Sequence, residues 1–396
     1  MDRESLVIRN KAMAEAFHTP PFRHRVRHAL LRVLSYLPSR RLRGKFNRVL
    51  LIRTDHLGDM LLTTPAIHAL KAAHPQLELH ALVGAWSAQI AAAYPQIDTV
   101  LTLPFPGFSR TPKEGLRSPY QLAFETARKL RGVGYDAAII FRPDHWWGAM
   151  VAHHAGIPRV IGYALPDVEP FLSEKFPLRA EHVVRQNLRL VESFVGYVPD
   201  DAIVYQYPVT AQDTSEIRTM LQDAGLDADA RYFCIHPGAG TWVKLWDNVS
   251  WAKVADTLAD QLNARPILTG SDHERTLARG IAQHMTHTPI VLAGETQVGQ
   301  LAALFAGARV VLGPDSGPLH LASAVSAPTV TLFGPARLTE FATWGAPDKH
   351  LTLTSDIGCL GCGILDWGTD APENHPCVRE ISVGRVLDAA RRVVNP

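Results

Sequence analysis

The chain has 396 residues, of which 46% are hydrophobic and 20% charged, ordinary values for a globular protein of about two domains, each able to bury its own core. A formal net charge of +2 by itself says nothing about partners, and no nucleic-acid partner is expected. No apolar run reaches the roughly 20 residues of a membrane-spanning helix, no signal-peptide core stands near the N-terminus, and four cysteines make no disulfide framework. The expected setting is therefore a reducing cytoplasm.

In chain order, residues 1–45 come first as a basic extension. No acidic residue occurs between Glu15 and Asp55, while Arg23, Arg25, Arg27, Arg32, Arg40, Arg41, Arg43, Lys45, Arg48 and Arg53 do. Val26, Leu30, Leu31, Val33, Leu34 and Leu37 interleave with these until Pro38. Such a pattern predicts a short amphipathic helix in peripheral contact with an anionic membrane surface. A solvated helix packed on the first domain and an Arg-rich transit peptide are the other readings.

From residue 46 to about 200 the pattern alternates. Strand-like runs fall at Val49–Ile52, Leu77–Val83, Thr99–Leu103, Ala137–Phe141 and Val160–Tyr163; helical spacing falls near 59–72, 120–130, 147–155 and 183–195. The βαβα rhythm predicts a mostly parallel sheet covered on both faces. The stretch Pro104–Pro119 reads as a long surface loop, a frequent site of function. Residues 199–213 break the rhythm as a linker, and a second alternation runs over 214–380, beginning at Tyr232–His236 and ending with strand Thr329–Phe333. Two doubly wound domains are expected, with a last helix in 381–396 that packs back on the first.

Two strand ends stand out. After Val49–Ile52 comes Arg53-Thr54-Asp55-His56-Leu57-Gly58-Asp59; far downstream comes Gly313-Pro314-Asp315-Ser316-Gly317-Pro318-Leu319-His320. Ligands gather at the carboxyl ends of strands in open α/β sheets, so the pair predicts two facing domains with a cleft between them. Neither GxGxxG after the first strand nor GxxxxGK[ST] is present, which removes the main support for dinucleotide and P-loop binding. The loop His236-Pro237-Gly238-Ala239-Gly240-Thr241 and the loop Gly313–Gly317 can both offer backbone N–H groups to an anion, and Lys244 adds a cation. Each glycine loop alone reads as an ordinary turn; together with Lys244 they suit a diphosphate.

The segments IRTDHLGDMLLTTPAIHALK, HPGAGTWVKLWDNVSWAKVADTL, GSDHE and GPDSGPLHLASAVSAPTVTLFGPA resemble, in that order, glycosyltransferase family 9, the lipopolysaccharide heptosyltransferase family. The resemblance implies a GT-B fold of two facing Rossmann-like domains, the acceptor on the first and a nucleotide-sugar donor such as ADP-heptose on the second. It also implies inverting transfer of a sugar to a cell-envelope glycolipid or glycan, with no cofactor required. The family's catalytic carboxylate falls on Asp59, with Asp55 as competitor; an N-cap is the structural alternative for Asp59. Lys244, in Lys244-Leu245-Trp246, would offset charge on the departing phosphate. Glu274 would bond the nucleotide ribose, or serve only as a first-turn helix acid. Asp315, Ser316, Gly317 and His320 would face the donor with Gly238, Gly240 and Thr241; a carboxylate beside a diphosphate is electrostatically odd, so Asp315 is expected to bond sugar hydroxyls or fix its loop. Trp242 and Trp246 could wall the site or simply pack.

On the acceptor side, Arg142, His145, Trp146 and Trp147 follow a strand end, Arg110, Lys113 and Arg117 lie in the long loop, and His182, Arg185 and Asn187 open a helix. The tail carries Cys359-Leu360-Gly361-Cys362 and His375-Pro376-Cys377, ligand types that suit a structural zinc; thiols filling a small core are the alternative, and Cys234 reads as buried. A nucleotide-sugar epimerase of similar architecture and a non-catalytic nucleotide-sugar-binding protein are the competing functions.

Overall fold

The computed structural model of the chain describes residues 2–19, 21–36, 47–108, 115 and 117–394. Arg110 and Lys113 of the long loop, and Leu37, Pro38, Arg40, Arg41, Arg43 and Lys45 of the basic extension, lie outside them. The chain divides into two compact units, Pro20–Val204 and a second made of Met1–Thr19 with Tyr205–Pro396.

The first unit is built on six parallel strands: β1 (Arg48–Arg53), β2 (Glu78–Val83), β3 (Thr99–Thr102), β4 (Ala137–Ile140), β5 (Arg159–Tyr163) and β6 (Glu174–Phe176). Their order is β3-β2-β1-β4-β5-β6, that of a doubly wound nucleotide-binding fold. β1 is central because its run Val49–Ile52 is buried on both faces; it pairs in register with β2 (Leu51 beside Ala81) and with β4 (Leu51 beside Ile139). Between β1 and β4 the sheet reverses its winding direction. That reversal opens a crevice at the carboxyl ends of these two strands.

The second unit repeats the plan with β7 (Tyr232–Ile235), β8 (Arg265–Leu268), β9 (Ile290–Val291), β10 (Val311–Pro314), β11 (Thr329–Phe333) and β12 (His350–Thr354), in the order β12-β11-β10-β7-β8-β9. Its reversal lies between β7 and β10. The short strands β6 and β12 went unread in the sequence because both are edge strands without a buried apolar run.

Three departures from the sequence-based expectation have physical causes. The helix expected over 59–72 is two: α3 (Leu57–Leu61) and α4 (Thr64–Ala73). Pro65 has no N–H to give and crowds the preceding turn, while the hydroxyls of Thr63 and Thr64 take the carbonyls of Asp59 and Leu61. The helix Val383–Val394 is part of the second unit, where Val386, Leu387, Ala390 and Val393 enter the core beside Trp251 and Leu258.

Residues 1–45, expected as one extension, form two helices with different attachments. α1 (Arg3–His18) belongs to the second unit: Leu6 joins its core, buried Asn10 donates to the Asn374 carbonyl at 2.8 Å, and Arg3 and Arg9 pair with Glu380 and Asp370. α2 (Phe22–Ser35) belongs to the first: Leu31 is buried in its core, and Arg27 and His28 both reach Asp167. Leu6→Ala should therefore cost about 2 kcal/mol, the low end for a buried leucine. Urea denaturation followed by tryptophan fluorescence would measure the loss, and an unchanged midpoint would show α1 to be a passive attachment.

Candidate functional site

The loops after β1 and β4 build one cluster at the first crevice. Arg53 ends β1 with its guanidinium buried, and it holds two carboxylates: Nε lies 3.0 Å from Asp55 Oδ2 and an NH2 group 2.9 Å from Asp59 Oδ1. From the loop after β4, Arg142 pairs with the other oxygen of Asp55 and with Asp144 at 2.6 Å. The backbone carbonyl of Asp55 accepts from Trp86 Nε1 at 2.9 Å and from the Ser87 hydroxyl at 2.7 Å. Asp55 is thus fixed on every side.

The two carboxylates differ in environment. The Asp55 side chain is 5% exposed, that of Asp59 29%. Burial works to raise the Asp55 carboxyl, but the charges of Arg53 and Arg142 outweigh it and hold the group below the usual carboxylate range. At Asp59, burial and the neighbouring charge of Asp55 win against Arg53 and push the carboxyl above that range. Asp59 is also no helix cap: it is the third residue of α3, whose N-cap position is His56. It is the member of the pair that combines access with basicity.

His145 completes the cluster. It is buried against Phe105 and Trp147 at ring distances of 5.5 and 6.2 Å, and neither ring nitrogen has a hydrogen-bond partner among the described residues. Burial pushes its pKa down to about 4, so the ring is neutral near pH 7. Gly148 makes room for it, since a Cβ there would stand 2.4 Å from Nδ1.

The other acceptor-side candidates are used locally. Arg185 donates to the Val198 carbonyl at 2.5 Å, pairs with Asp200 and lies 5.3 Å from the Tyr197 ring. His182 caps the helix Val183–Arg189 by accepting from Val184 N–H at 3.2 Å. Asn187 donates to the Leu62 carbonyl at 2.9 Å, bracing the joint between α3 and α4. Trp147 donates to the Pro119 carbonyl, Trp146 faces Tyr120 and the Arg27 guanidinium, and Arg117 is exposed.

At the second crevice the loops after β7 and β10 meet through charge. Lys244 Nζ is 2.6 Å from Asp315 Oδ2 and 3.3 Å from the Asp315 carbonyl. This pair explains a carboxylate at an expected diphosphate site: Asp315 is neutralised by, and aims, the lysine. Two of the ammonium's three donors are occupied in this way, which leaves one for a ligand. Ser316 stands at the N-cap of the helix Gly317–Ala324 without capping it, and its buried hydroxyl has no partner among the described residues. Although Pro318 has no N–H and the Leu319 N–H is bonded to the Ser316 carbonyl at 3.1 Å, the positive end of that helix, the Ser316 hydroxyl and Lys244 together suit an anion.

Glu274 sits where the two turns converge. Its Oε2 accepts from Ser271 N–H at 2.7 Å and from the Ser271 hydroxyl at 2.8 Å, and lies 3.9 Å from His236 Nε2. A Cβ on Gly238 would fall 1.9 Å from Glu274 Oε1, so glycine there is what admits the carboxylate. Gly240 has no such constraint, with nothing within 4 Å of a Cβ. Thr241 gives its hydroxyl to the Leu365 carbonyl at 2.5 Å. Trp246 does not wall the site: it is buried, bonded to the Ile381 carbonyl and packed on Trp251. His320 is buried one turn into its helix, and its carbonyl accepts from the Tyr205 hydroxyl at 2.9 Å. Sequence reasoning missed Arg53 and His236 as site residues, because a charge at a strand end and a histidine ahead of a glycine loop carry no signal until their partners fold beside them.

The expected zinc set requires correction. Cys359, Cys362, His375 and Cys377 do line one small pocket with Asn10 of α1 and Trp367. His375, however, turns Nε2 to Asp370 at 2.8 Å and stacks 4.1 Å from Trp367, and Asp370 is itself paired with Arg9. Burial pushes the Cys377 thiol up to about 12, favouring the protonated form. No group of three or more His, Cys, Asp or Glu side chains among the described residues is placed to hold a metal.

Comparison with known proteins gives a consistent result. The model of glycosyltransferase family 9 (heptosyltransferase) matches residues 123–362. Lipopolysaccharide heptosyltransferase 1 of Pseudomonas aeruginosa is 27% identical over 322 residues, 80% of this chain and 86% of that protein. A family 9 glycosyltransferase of Veillonella parvula superposes with a TM-score of 0.71 at 21% identity, covering 89% of this chain and 99% of that one. The ADP-heptose lipopolysaccharide heptosyltransferase II of E. coli gives 0.68 at 20% identity, covering 88% and 98%.

Arg53 is the group on which the first cluster balances. Arg53→Met should destabilise the protein by about 3–5 kcal/mol, the usual result of leaving buried charges unpaired. The deficit should shrink as the pH is lowered, because carboxyls deprived of their cation take up protons more readily. Urea titrations of both proteins across the acidic range test this; a pH-independent deficit would mean that lost packing, not charge, is the cause.

Proposed function

Since the chain belongs to glycosyltransferase family 9, the heptosyltransferase family, we propose that it transfers heptose from ADP-heptose to the inner-core glycolipid of lipopolysaccharide, with inversion and without a divalent metal. It is a glycosyltransferase of two Rossmann-like units, and each unit supplies one half of the chemistry. The observation that carries the proposal is the contrast between Asp55, clamped by two arginines, and Asp59, accessible and held above the usual carboxylate range.

Inversion requires the acceptor hydroxyl to attack the anomeric carbon from the face opposite the leaving diphosphate. Asp59 takes the hydroxyl proton as that bond forms, and a raised pKa makes it a better base. Asp55 remains ionised and keeps Arg53 and Arg142 in place. The exposed edge of Arg142 is offered to the anionic groups of the acceptor, and the neutral, buried ring of His145 backs the cluster. In the second unit, the remaining Lys244 donor, Ser316 and the start of the helix Gly317–Ala324 receive the diphosphate and its growing charge. Glu274 is left with an oxygen for the ribose hydroxyls, and Asp315 acts through Lys244. An epimerase would need acid and base groups around the donor sugar and no acceptor site. A binding protein would have no use for a basic carboxylate at Asp59.

Among the described residues no helix is long and apolar enough to cross a membrane. A lipid-borne acceptor therefore has to be met at the membrane surface.

The test is ADP release from ADP-heptose in the presence of EDTA and deacylated or intact inner-core glycolipid, with other nucleotide sugars as controls. Asp59→Asn should lower kcat by roughly 10²–10⁴-fold, the range for a lost general base, with donor affinity retained; equal turnover would remove Asp59 from the mechanism. In the wild type kcat/KM should fall as the pH drops through the Asp59 pKa, at a midpoint above the roughly 4 of an ordinary aspartate. Gly238→Ala should displace Glu274 and weaken ADP binding about tenfold, on the scale of one lost charged hydrogen bond; calorimetry with ADP alone would read it without any acceptor.

A further inference from the structure

α2 carries two apolar faces, and the fold uses only one of them. Leu31 is fully buried in the core of the first unit, Leu34 packs beside it, and Arg27 and His28 on the same side bind Asp167. At 3.6 residues per turn, Phe22, Val26, Leu30 and Val33 fall on a single stripe roughly opposite Leu31. All four are open to solvent, with exposures of 75%, 55%, 43% and 63%. Single exposed apolar residues are commonplace, but four in a row along a helix that is already anchored by its other face are not.

The edges of the stripe are equally telling. Arg23 flanks it on one side, and Arg25 and Arg32 on the other, by the same helical geometry. None of the three makes an ion pair among the described residues, in contrast to Arg27 on the inner face. The helix contains no acidic residue, and the sequence has none from Ala16 to Thr54. Next to its last turn, a cavity of about 470 Å³ is lined by Arg32, His28, Tyr36, Ser173 and the pair Lys175–Glu169 at 3.0 Å, with Phe171 and Leu172 among its apolar contacts.

We propose that α2 is an interfacial anchor: Phe22, Val26, Leu30 and Val33 enter the headgroup–acyl boundary of an anionic lipid bilayer while Arg23, Arg25 and Arg32 bind its phosphates. An apolar stripe bordered by cations on both sides is the arrangement that a helix lying in the plane of such a surface requires. A protein partner would need matching carboxylates as well as an apolar groove; an anionic bilayer offers both features everywhere on its surface. Arg32 also reaches the cavity beside the helix, where a headgroup phosphate can lodge over apolar side chains. Because the helix is joined to the first unit through Leu31 and Asp167, it would hold the unit that carries the acceptor-side cluster at the membrane.

The test uses the full chain and vesicles that contain neither donor nor acceptor, so its outcome is independent of the transferase assignment. Flotation with phosphatidylcholine vesicles and with phosphatidylcholine–phosphatidylglycerol vesicles is compared. Binding is expected only to the anionic set and should weaken with added salt. Phe22→Ser/Val33→Ser should reduce it at least about tenfold, because two exposed side chains no longer partition into the boundary. Arg23→Gln/Arg25→Gln should reduce it about 25-fold, at about fivefold per arginine. Both variants change solvent-exposed positions, and their melting temperatures should match the wild type. Equal binding to both vesicle types, unchanged binding by the stripe variant, or no binding by the wild type would overturn the proposal. So would a wild-type dimer that the stripe variant converts to monomer while vesicle binding stays the same, since the stripe would then join two copies of the chain.

Discussion

The buried guanidinium of Arg53 sets the character of the first crevice. It lies at the end of a strand with no exposed face, between two carboxylates four residues apart in sequence. Two carboxylates this close cannot share an environment and both remain charged without a cation. Arg53 supplies that cation, and Arg142 adds a second on the Asp55 side only. The asymmetry separates the pair: Asp55 is held below the usual carboxylate range and Asp59 above it, the contrast on which the proposed role of Asp59 as base rests. The geometry of α3 and of the loop after β4 follows from keeping these four groups in contact.

The second crevice solves the opposite problem by the same means. The diphosphate proposed for it calls for positive potential, yet Asp315 stands there. Pairing with Lys244 removes the conflict, because the carboxylate fixes the lysine, and the Ser316 hydroxyl stands beside it at the positive end of the following helix. Glycine is needed at Gly238, where Glu274 crosses the backbone, and at Gly313, where a Cβ would meet the His236 carbonyl at 2.5 Å. Both crevices lie at the carboxyl ends of the two strands between which a parallel sheet changes direction, so strand order places the chemistry before any side chain refines it.

The N-terminal helices show how similar sequence character can lead to different ends. α1 inserts Leu6 and Asn10 into the second unit and closes over the cysteine-lined pocket through Arg9, Asp370 and His375. This arrangement draws His375 toward a carboxylate and away from the thiols. α2 fastens itself to the first unit through Leu31 and the Asp167 pair and leaves a bordered apolar stripe outside.

Much of this was legible in the residues themselves. The continuous apolar run Val49–Ile52, bounded by polar segments, reads as a doubly covered parallel strand, and the polar segments that end such strands mark where ligands can bind. The resemblance to the family drew attention to Asp59, Lys244, Glu274 and Ser316 and implied roles for them. What sequence could not supply was pairing. That Asp55 is clamped while Asp59 is open, that Asp315 belongs to Lys244, that Arg185 serves Asp200, and that His375 faces Asp370 are all contacts between residues distant in the chain or equivalent in pattern. Periodicity fixes which side of an element is apolar, because that depends on local geometry alone. It is silent on which of two apolar faces of α2 finds the core and on which unit claims α1. Those choices depend on the surfaces assembled by the rest of the chain, which exist only in the folded protein.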